Sequence, residues 1–258
     1  MTNITIATAN THESRLLQFP DGLVHFQRAH VDVLLLQEVL AMKTADIIES
    51  LMKANFKLVH RNQKMGLLIA VSNQARITTA VIDDVIFDIP GITQVAKKFG
   101  IKKANSSRER GIIGVRLTCE SGQAIAIATV HHSVFIRGLT RSRQVLAMGR
   151  ALRHESYDSS RLIIGGDMNH YPRARRIDIA TQNSLGLARV DIIKPSWKIK
   201  GTQHEWMARL GSITTGRKIN SFDAELDAIL YKGVEVIDTQ ILDIESDHRA
   251  IVTEFRIL

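Results

Sequence analysis

The 258-residue chain has the composition of an ordinary globular protein, with 45% hydrophobic and 23% charged residues. It lacks both a run of about 18 apolar residues and the basic-then-apolar start of a secretory signal, so we expect no membrane span and no export. The 34 Lys and Arg residues outnumber the 26 Asp and Glu residues, and the resulting +8 charge either favours a polyanionic partner such as nucleic acid or serves solubility.

Eight short apolar runs, rich in β-branched residues, predict buried strands. In chain order these are Ile4–Ala9, Val31–Leu36, Leu67–Val71, Ile112–Leu117, Ala124–Val130, Leu162–Ile164, Leu226–Leu230 and Ala250–Phe255. Apolar residues at helical spacing predict three helices between the strands. These helices cover Ala41–Asn55, Thr140–His154 and Arg175–Leu185, the last ended by Gly186.

The segment Arg110–His132 decides between two architectures. A barrel of alternating strands and helices would place catalytic groups after parallel strands. Here, however, only Cys119-Glu120-Ser121-Gly122-Gln123 separates two predicted strands. So short a connection joins antiparallel strands, because parallel neighbours need a longer crossover. With no linker or repeat in the sequence, we predict an α/β (α+β) sandwich of mixed β-sheets with outer helices, formed as a single domain over residues 1–258.

The segment from Thr78 to Arg110 fits neither the strand nor the helix pattern. It contains Pro90 and Gly91, followed by a basic stretch. The members of that stretch are Lys97, Lys98, Lys102, Lys103, Arg108 and Arg110. We interpret the segment as a solvated loop, and the alternative is a substrate-facing loop that collects phosphates.

Five segments share one design, in which a buried run meets unusual polar residues. The polar residues are Asn10, Gln37-Glu38, His131-His132, Gly165-Gly166-Asp167-Met168-Asn169 and Ser246-Asp247-His248. Each segment alone has an ordinary explanation: Asn10 as a turn residue, Glu38 as a helix N-terminal acid, and Ser246-Asp247 as a cap. Their occurrence together in one chain favours an active site.

These residue types suit phosphodiester hydrolysis with a hard divalent cation. Mg²⁺ prefers oxygen ligands and keeps several waters, so two carboxylates such as Glu38 and Asp247 would suffice. Asp167 can take a proton from water while Asn169 holds the phosphate, and their i, i+2 spacing in an extended chain predicts both side chains on one face. His248 can donate a hydrogen bond to a phosphoryl oxygen if a carboxylate keeps it protonated.

In this order, the motifs resemble those of the endonuclease/exonuclease/phosphatase superfamily, which includes the deoxyribonuclease I-like nucleases. The resemblance rests on Asn10, Gln37-Glu38, His131, Gly166-Asp167-Met168-Asn169, Leu226-Asp227-Ala228-Ile229-Leu230 and Ser246-Asp247-His248. It implies a four-layer sandwich with two central mixed β-sheets flanked by helices. It also implies Mg²⁺, with Mn²⁺ as its substitute, held by Glu38 as the principal ligand with Asp247 and Asn10 nearby.

The resemblance further implies a role for each remaining match. Asp167 would orient or deprotonate the attacking water, and Asn169 would contact the phosphate. Asp227 would pair with His248. His131 would contact the scissile phosphate as the histidine that ends a strand.

Two features of the sequence depart from the family pattern. His132 follows His131 at a position that is usually apolar, so the register of the pair is open and His132 is a second candidate for substrate contact. The nuclease branches often use a tyrosine, for which Tyr171 is the candidate here.

The substrate is predicted from charge. Arg173, Arg175 and Arg176 come soon after Asn169, where they could grip neighbouring phosphates of a nucleic acid, or else form a solvent-facing loop. We therefore predict a nuclease acting on DNA or RNA. The alternatives are a phosphatase or phosphodiesterase acting on an inositol phosphate, nucleotide or sphingomyelin, and a nucleic-acid-binding protein that has lost catalysis. The single cysteine, Cys119, excludes an internal disulfide and makes cytoplasm the default compartment, and no obligate protein partner is indicated.

Overall fold

In the structure, a computed structural model, the described residues form more strand than helix. The structure describes residues 2–19, 21–40, 42–87, 109–132, 138–153, 157, 160–169, 179, 182–192, 196 and 226–258. Within these residues the strands are β1 (Thr2–Asn10), β2 (Val33–Gln37), β3 (Phe56–Asn62), β4 (Leu67–Ser72), β5 (Ile77–Ile86), β6 (Gly111–Cys119), β7 (Ala124–His131), β8 (Leu162–Asp167), β9 (Ala188–Arg189), β10 (Asp227–Lys232), β11 (Val234–Asp243) and β12 (Arg249–Ile257). The helices are α1 (Arg15–Gln18), α2 (Val24–Arg28), α3 (Thr44–Lys53) and α4 (Gly138–Leu152).

The strands form two six-stranded sheets. Sheet A has the order β11-β12-β1-β2-β4-β3, and sheet B has the order β5-β6-β7-β8-β10-β9. In each sheet one central pair is parallel, β1 with β2 and β7 with β8, while the other neighbours are antiparallel. The predicted mixed sheets are therefore confirmed.

The sheets pack face to face, and helices cover their outer surfaces. Side chains alternate between the two faces of a strand, so Leu35 of β2 joins Ile127 of β7 in a core between the sheets. The next residue, Leu34, points outward and packs with Leu51 of α3. On the outer face of sheet B, Met148 of α4 belongs to a third cluster. These layers confirm the predicted four-layer sandwich.

Most elements expected from the sequence are present. Each of the eight predicted strands overlaps an observed one, and two predicted helices correspond to α3 and α4. The predicted helix Arg175–Leu185 lies largely outside the described residues, although residues 182–184 are helical and Gly186 follows them with φ of 65°. Among the described residues, no helix combines the length and apolarity needed to cross a membrane.

The interpretation of Thr78–Arg110 as a solvated loop is wrong for its first described part, which is a strand, and its last residue lies in a loop but is buried. Residues from Ile77 to Ile86 form β5, an edge strand of sheet B. Its apolar pattern is weak because most of its side chains are exposed and a bulge between Ile82 and Val85 breaks the alternation. The basic positions from 97 to 108 lie outside the described residues, whereas Arg110 is buried immediately before β6.

Candidate active site

The strand pairings bring the polar strand ends to one edge of the sandwich. Parallel pairing aligns Asn10 with Gln37 in sheet A and His131 with Asp167 in sheet B. Because β10 runs antiparallel to β8, its first residue, Asp227, also pairs with Asp167. Residues far apart in the chain therefore converge at a single site.

Asp167 lies at the centre of this site. Its Oδ2 accepts a hydrogen bond from Nδ2 of Asn10 at 2.9 Å and lies 3.5 Å from Nε2 of His131. Burial, together with the nearby Asp227 carboxylate, raises the pKa of Asp167 to about 7, although His248 and Asn10 act in the opposite direction. The environment thus gives this carboxyl an unusually high proton affinity for an aspartate.

His248 forms a buried pair with Asp227. Nδ1 of His248 lies 2.7 Å from Oδ2 of Asp227, and Asp227 is fully buried. Burial alone would lower the pKa of His248, but the carboxylates of Asp227, Asp167 and Asp247 outweigh it and raise the pKa to about 10. The imidazolium form is favoured, with Nδ1–H donating to Asp227.

Glu38 reaches the site from the end of β2 through an unusual backbone conformation. Its φ is 60°, in the left-handed region that non-glycine residues rarely adopt. Its Oε1 lies 3.9 Å from Nε2 of His131, and its Oε2 accepts the amide of Glu13 at 3.2 Å. Such strain is concentrated at functional sites, because the surrounding structure must enforce it.

A turn after β1 contacts two of the acidic residues, and the sequence pattern does not indicate it. His12, Glu13 and Ser14 are three consecutive residues with φ of 48°, 57° and 70°. Nδ1 of His12 lies 2.7 Å from Oδ1 of Asp247, and the raised pKa of His12 follows first from this hydrogen bond. The sequence signal was a histidine two residues after Asn10, which is too common a pattern to be informative alone.

The predicted extended arrangement of Asp167 and Asn169 is wrong. Asn169 has φ of 48°, and its backbone N–H donates to Oδ1 of Asp167 at 2.9 Å. This hydrogen bond turns the chain directly after β8. Nδ2 of Asn169 donates to the carbonyl of His132 at 2.7 Å. The side-chain amide of Asn169 is therefore held by the residue that directly follows β7, the strand next to β8.

The structure separates the two neighbouring histidines. The ring of His131 faces Asp167 and Glu38, whereas the ring of His132 packs against Phe87 with 6.1 Å between centroids. His131 therefore occupies the strand-end position beside the carboxylates. The structure does not bring the ring of His132 into this cluster, because consecutive strand residues point to opposite faces.

Arg110 is a buried residue beside His131 that the sequence predicts only as part of a solvated basic stretch. Its NH1 lies 2.8 Å from Nδ1 of His131, and its side chain is buried. The surrounding run of Lys and Arg residues concealed it, since its burial depends on the pairing of β6 with β7. The other predicted substrate residues, Tyr171, Arg173, Arg175 and Arg176, lie outside the described residues.

The donor atoms at this site fit a divalent cation. One ligand atom each from Asp167, Asp227 and His248 lie within 4.8 Å of one another, but the protonated His248 has no lone pair for a metal, so the carboxylate and amide oxygens are the available ligands. Oδ1 of Asp227 and Oδ1 of Asn169 are buried without a hydrogen-bond partner among the described residues. Unsatisfied buried oxygens are costly, and oxygen atoms are the ligands that hard cations prefer.

Comparisons with known proteins identify the family. The model of the endonuclease/exonuclease/phosphatase family matches residues 7–248, and the chain belongs to this family. No protein among the curated sequences matches it significantly.

Solved structures share the fold at low sequence identity. D. rerio TDP2 complexed with single strand DNA product has a TM-score of 0.66 and 14% identity, covering 99% of this chain and 100% of that chain. The human nocturnin catalytic domain with bound sulfate anion has a TM-score of 0.64 and 16% identity, and the match covers 99% of this chain and 95% of that chain. ANGEL2, described as a 2',3'-cyclic phosphatase, has a TM-score of 0.67 and 14% identity, covering 98% and 95%. At such identities these likenesses show the fold alone.

Proposed function

We propose that this protein is a divalent-metal-dependent phosphodiester hydrolase, and specifically a nuclease acting on DNA or RNA. The observation that carries the proposal is the contact of Asp167 with Asn10 and His131, beside the buried Asp227–His248 pair. A carboxylate surrounded by donors of this kind suits the attack of water on phosphorus. Membership of the endonuclease/exonuclease/phosphatase family supports the class of reaction.

Glu38 and Asp247, with Asn10 beside them, would hold Mg²⁺ or Mn²⁺. The bound cation would neutralise charge on the phosphate oxygens. His12 and Glu13 restrain the two carboxylates: His12 lies 2.7 Å from Asp247, and the Glu13 amide donates to Glu38. The ligands are therefore already oriented by their neighbours, as metal ligands usually are.

The remaining residues bind the phosphate and move protons. Asp167 would accept a proton from the attacking water, and Asn10 holds this carboxylate in place. His248, positively charged because of Asp227, would donate from Nε2 to a non-bridging phosphate oxygen. His131 and Asn169 would contact the phosphate, with Asn169 positioned by the carbonyl of His132.

Charge and two of the structural neighbours bear on the substrate. The +8 net charge suits a polyanion, and D. rerio TDP2 is described in complex with single strand DNA product. ANGEL2, described as a 2',3'-cyclic phosphatase, favours the second candidate, a phosphatase or phosphodiesterase acting on a small phosphoester. The single domain and the cytoplasmic location remain predictions.

A substrate panel assayed with Mg²⁺, with Mn²⁺ and with EDTA tests the proposal. It should include plasmid, abasic duplex, single-stranded DNA, RNA, nucleotides, cyclic phosphates and inositol phosphates. We expect nucleic acid to be cleaved with either metal and cleavage to stop with EDTA. Cleavage of inositol phosphates alone would overturn the substrate, and binding of nucleic acid without cleavage of any substrate would favour the binding protein that has lost catalysis.

Glu38→Gln provides the matched test of the metal assignment. Glu235→Gln is the control, since Glu235 pairs with Arg256 on an exposed face of β11. We expect Glu38→Gln to abolish turnover while the control retains it. Unaltered activity of Glu38→Gln would reject Glu38 as the principal ligand.

A further inference from the structure

We propose that Arg110 is a positioning residue that donates to Nδ1 of His131 and thereby directs the Nε2–H of His131 into the active site. This inference rests on the proposed function for its catalytic consequence. The tautomer itself follows from the contact between the two side chains and can be measured without any substrate.

The contact joins two buried side chains, one just before β6 and one at the end of the adjacent strand β7. Arg110 and His131 are 3% and 2% exposed, and NH1 lies 2.8 Å from Nδ1. The position of Arg110 is set by its backbone carbonyl, which accepts the amide of Phe87 just before β6 begins. The pairing of β6 with β7 then brings its side chain to the end of β7.

The chemistry of the two groups determines the direction of this hydrogen bond. A guanidinium group has only donors, so Nδ1 of His131 must supply the lone pair. The imidazole proton therefore resides on Nε2. A second proton, on Nδ1, would replace this bond with two facing N–H groups and two positive charges at short range.

The remaining N–H of His131 points into the active site. Nε2 lies 3.5 Å from Oδ2 of Asp167 and 3.9 Å from Oε1 of Glu38. His131 is thus presented as a hydrogen-bond donor where the phosphate is proposed to bind, and Arg110 supplies positive charge behind it. His248 has the opposite arrangement, since its Nδ1–H faces the carboxylate of Asp227.

The two histidines of the site are thus held in opposite ways. His248 presents Nε2 to the site with its Nδ1–H held by a carboxylate, whereas His131 presents Nε2–H with its Nδ1 held by a guanidinium group. Fixing the tautomer of His131 means that no proton has to move within its ring before the donor is available. Preorganised donors are effective for this reason.

Long-range ¹H–¹⁵N correlation spectra of the ¹⁵N-labelled protein test the tautomer. The signals of His131 are assigned by their disappearance in His131→Gln. We expect Nδ1 to have a pyridine-like shift and Nε2 a pyrrole-like shift in the protein without substrate. A pyridine-like Nε2, or a doubly protonated ring at neutral pH, would overturn the proposal.

Three variants distinguish an effect of Arg110 on the His131 ring from a general loss of structure. Arg110→Met removes the donor, Arg110→Lys keeps one, and Arg116→Met on β6 is the control for a lost arginine on the same strand. We expect tautomer exchange in Arg110→Met, the wild-type pattern in Arg110→Lys, and no change in Arg116→Met. An unchanged His131 spectrum in Arg110→Met would overturn the proposal, and if that variant does not fold, the wild-type and Arg110→Lys spectra decide it.

The catalytic consequence is measured on whichever substrate the panel identifies. Arg110→Met should lower kcat by about 10- to 100-fold with little change in KM, a loss of the size seen when a residue that orients an active-site group is removed. Arg110→Lys should recover part of this loss. Equal kcat values in wild type and Arg110→Met would overturn the positioning role. If no substrate is cleaved, the proposed function fails while the spectra still decide the tautomer.

Discussion

Nδ2 of Asn10 donates a hydrogen bond to Oδ2 of Asp167 at 2.9 Å, and this bond joins sheet A to sheet B at the candidate site. A second connection lies deeper in the sandwich, where Nε2 of Gln37 lies within 3.1 Å of Thr8 and 2.9 Å of Thr129. The geometry of the site therefore depends on how the two sheets pack. This dependence leads to predictions for both stability and activity.

Gln37→Leu should destabilise the fold. The variant leaves the hydroxyls of Thr8 and Thr129 without their buried partner, a change that costs about 1–3 kcal/mol of unfolding free energy. Urea denaturation at neutral pH measures the difference. Gln74→Leu, at an exposed position, is the control, and equal stabilities of wild type and Gln37→Leu would show that this polar contact does not stabilise the sandwich.

Asp227→Asn should impair catalysis more than folding. Without the carboxylate, His248 loses the main source of its raised pKa and of its ring orientation. Loss of one charged donor to the phosphate should lower kcat by about 10²–10³-fold. The control is Asp243→Asn, whose carboxylate accepts a bond from Arg249 and is mostly exposed. A kcat value within twofold of wild type would exclude the assigned role.

His12→Asn should weaken metal binding. Asparagine tolerates the left-handed backbone at this position but has no ring nitrogen to hold Asp247. The loss of a residue that orients a metal ligand usually weakens affinity by about 10- to 100-fold. Calorimetric titration with Mn²⁺ gives the affinity, and His25→Asn, next to Glu245 on the surface, is the control. Identical affinities for His12→Asn and wild type would contradict the prediction.

Asp32→Asn should stabilise the protein at neutral pH. Burial raises the pKa of Asp32, although the amide of Thr5 donates to its Oδ2 at 2.8 Å and acts in the opposite direction. A carboxyl whose pKa is higher in the folded than in the unfolded state destabilises the fold when it is ionised. The loss of unfolding free energy is therefore complete at a pH above the folded-state pKa. It vanishes at a pH below the unfolded-state pKa of about 4.

Urea denaturation of wild type and Asp32→Asn between pH 7 and pH 3.5 shows which of the two is more stable at each pH. Asp32→Asn retains a side-chain oxygen for the Thr5 amide, and it should exceed wild type in stability at pH 7 and converge with it as the pH falls. Asp238→Asn removes the same charge from the exposed face of β11 and serves as the control. A stability difference that grows on acidification would show that the sign is wrong.

The fold could be predicted where strands are buried on both faces. The run before Gln37 and the run before Asp167 are continuously apolar, because each strand lies between the inner core and an outer layer. The edge strands β3 and β5 were not predicted as separate elements, because their exposed side chains dilute the apolar pattern.

The sequence by itself determined which chemical groups stand at the strand ends, because apolar runs and the polar residues that end them are local features. Only the tertiary structure decided which of these groups meet. Asn10 and Asp167 are 157 positions apart, and the partners Arg110 and His12 carry no local signal. Pairing and register across two sheets set these contacts, and alternation along β7 alone could not show whether His131 or His132 faces the carboxylates.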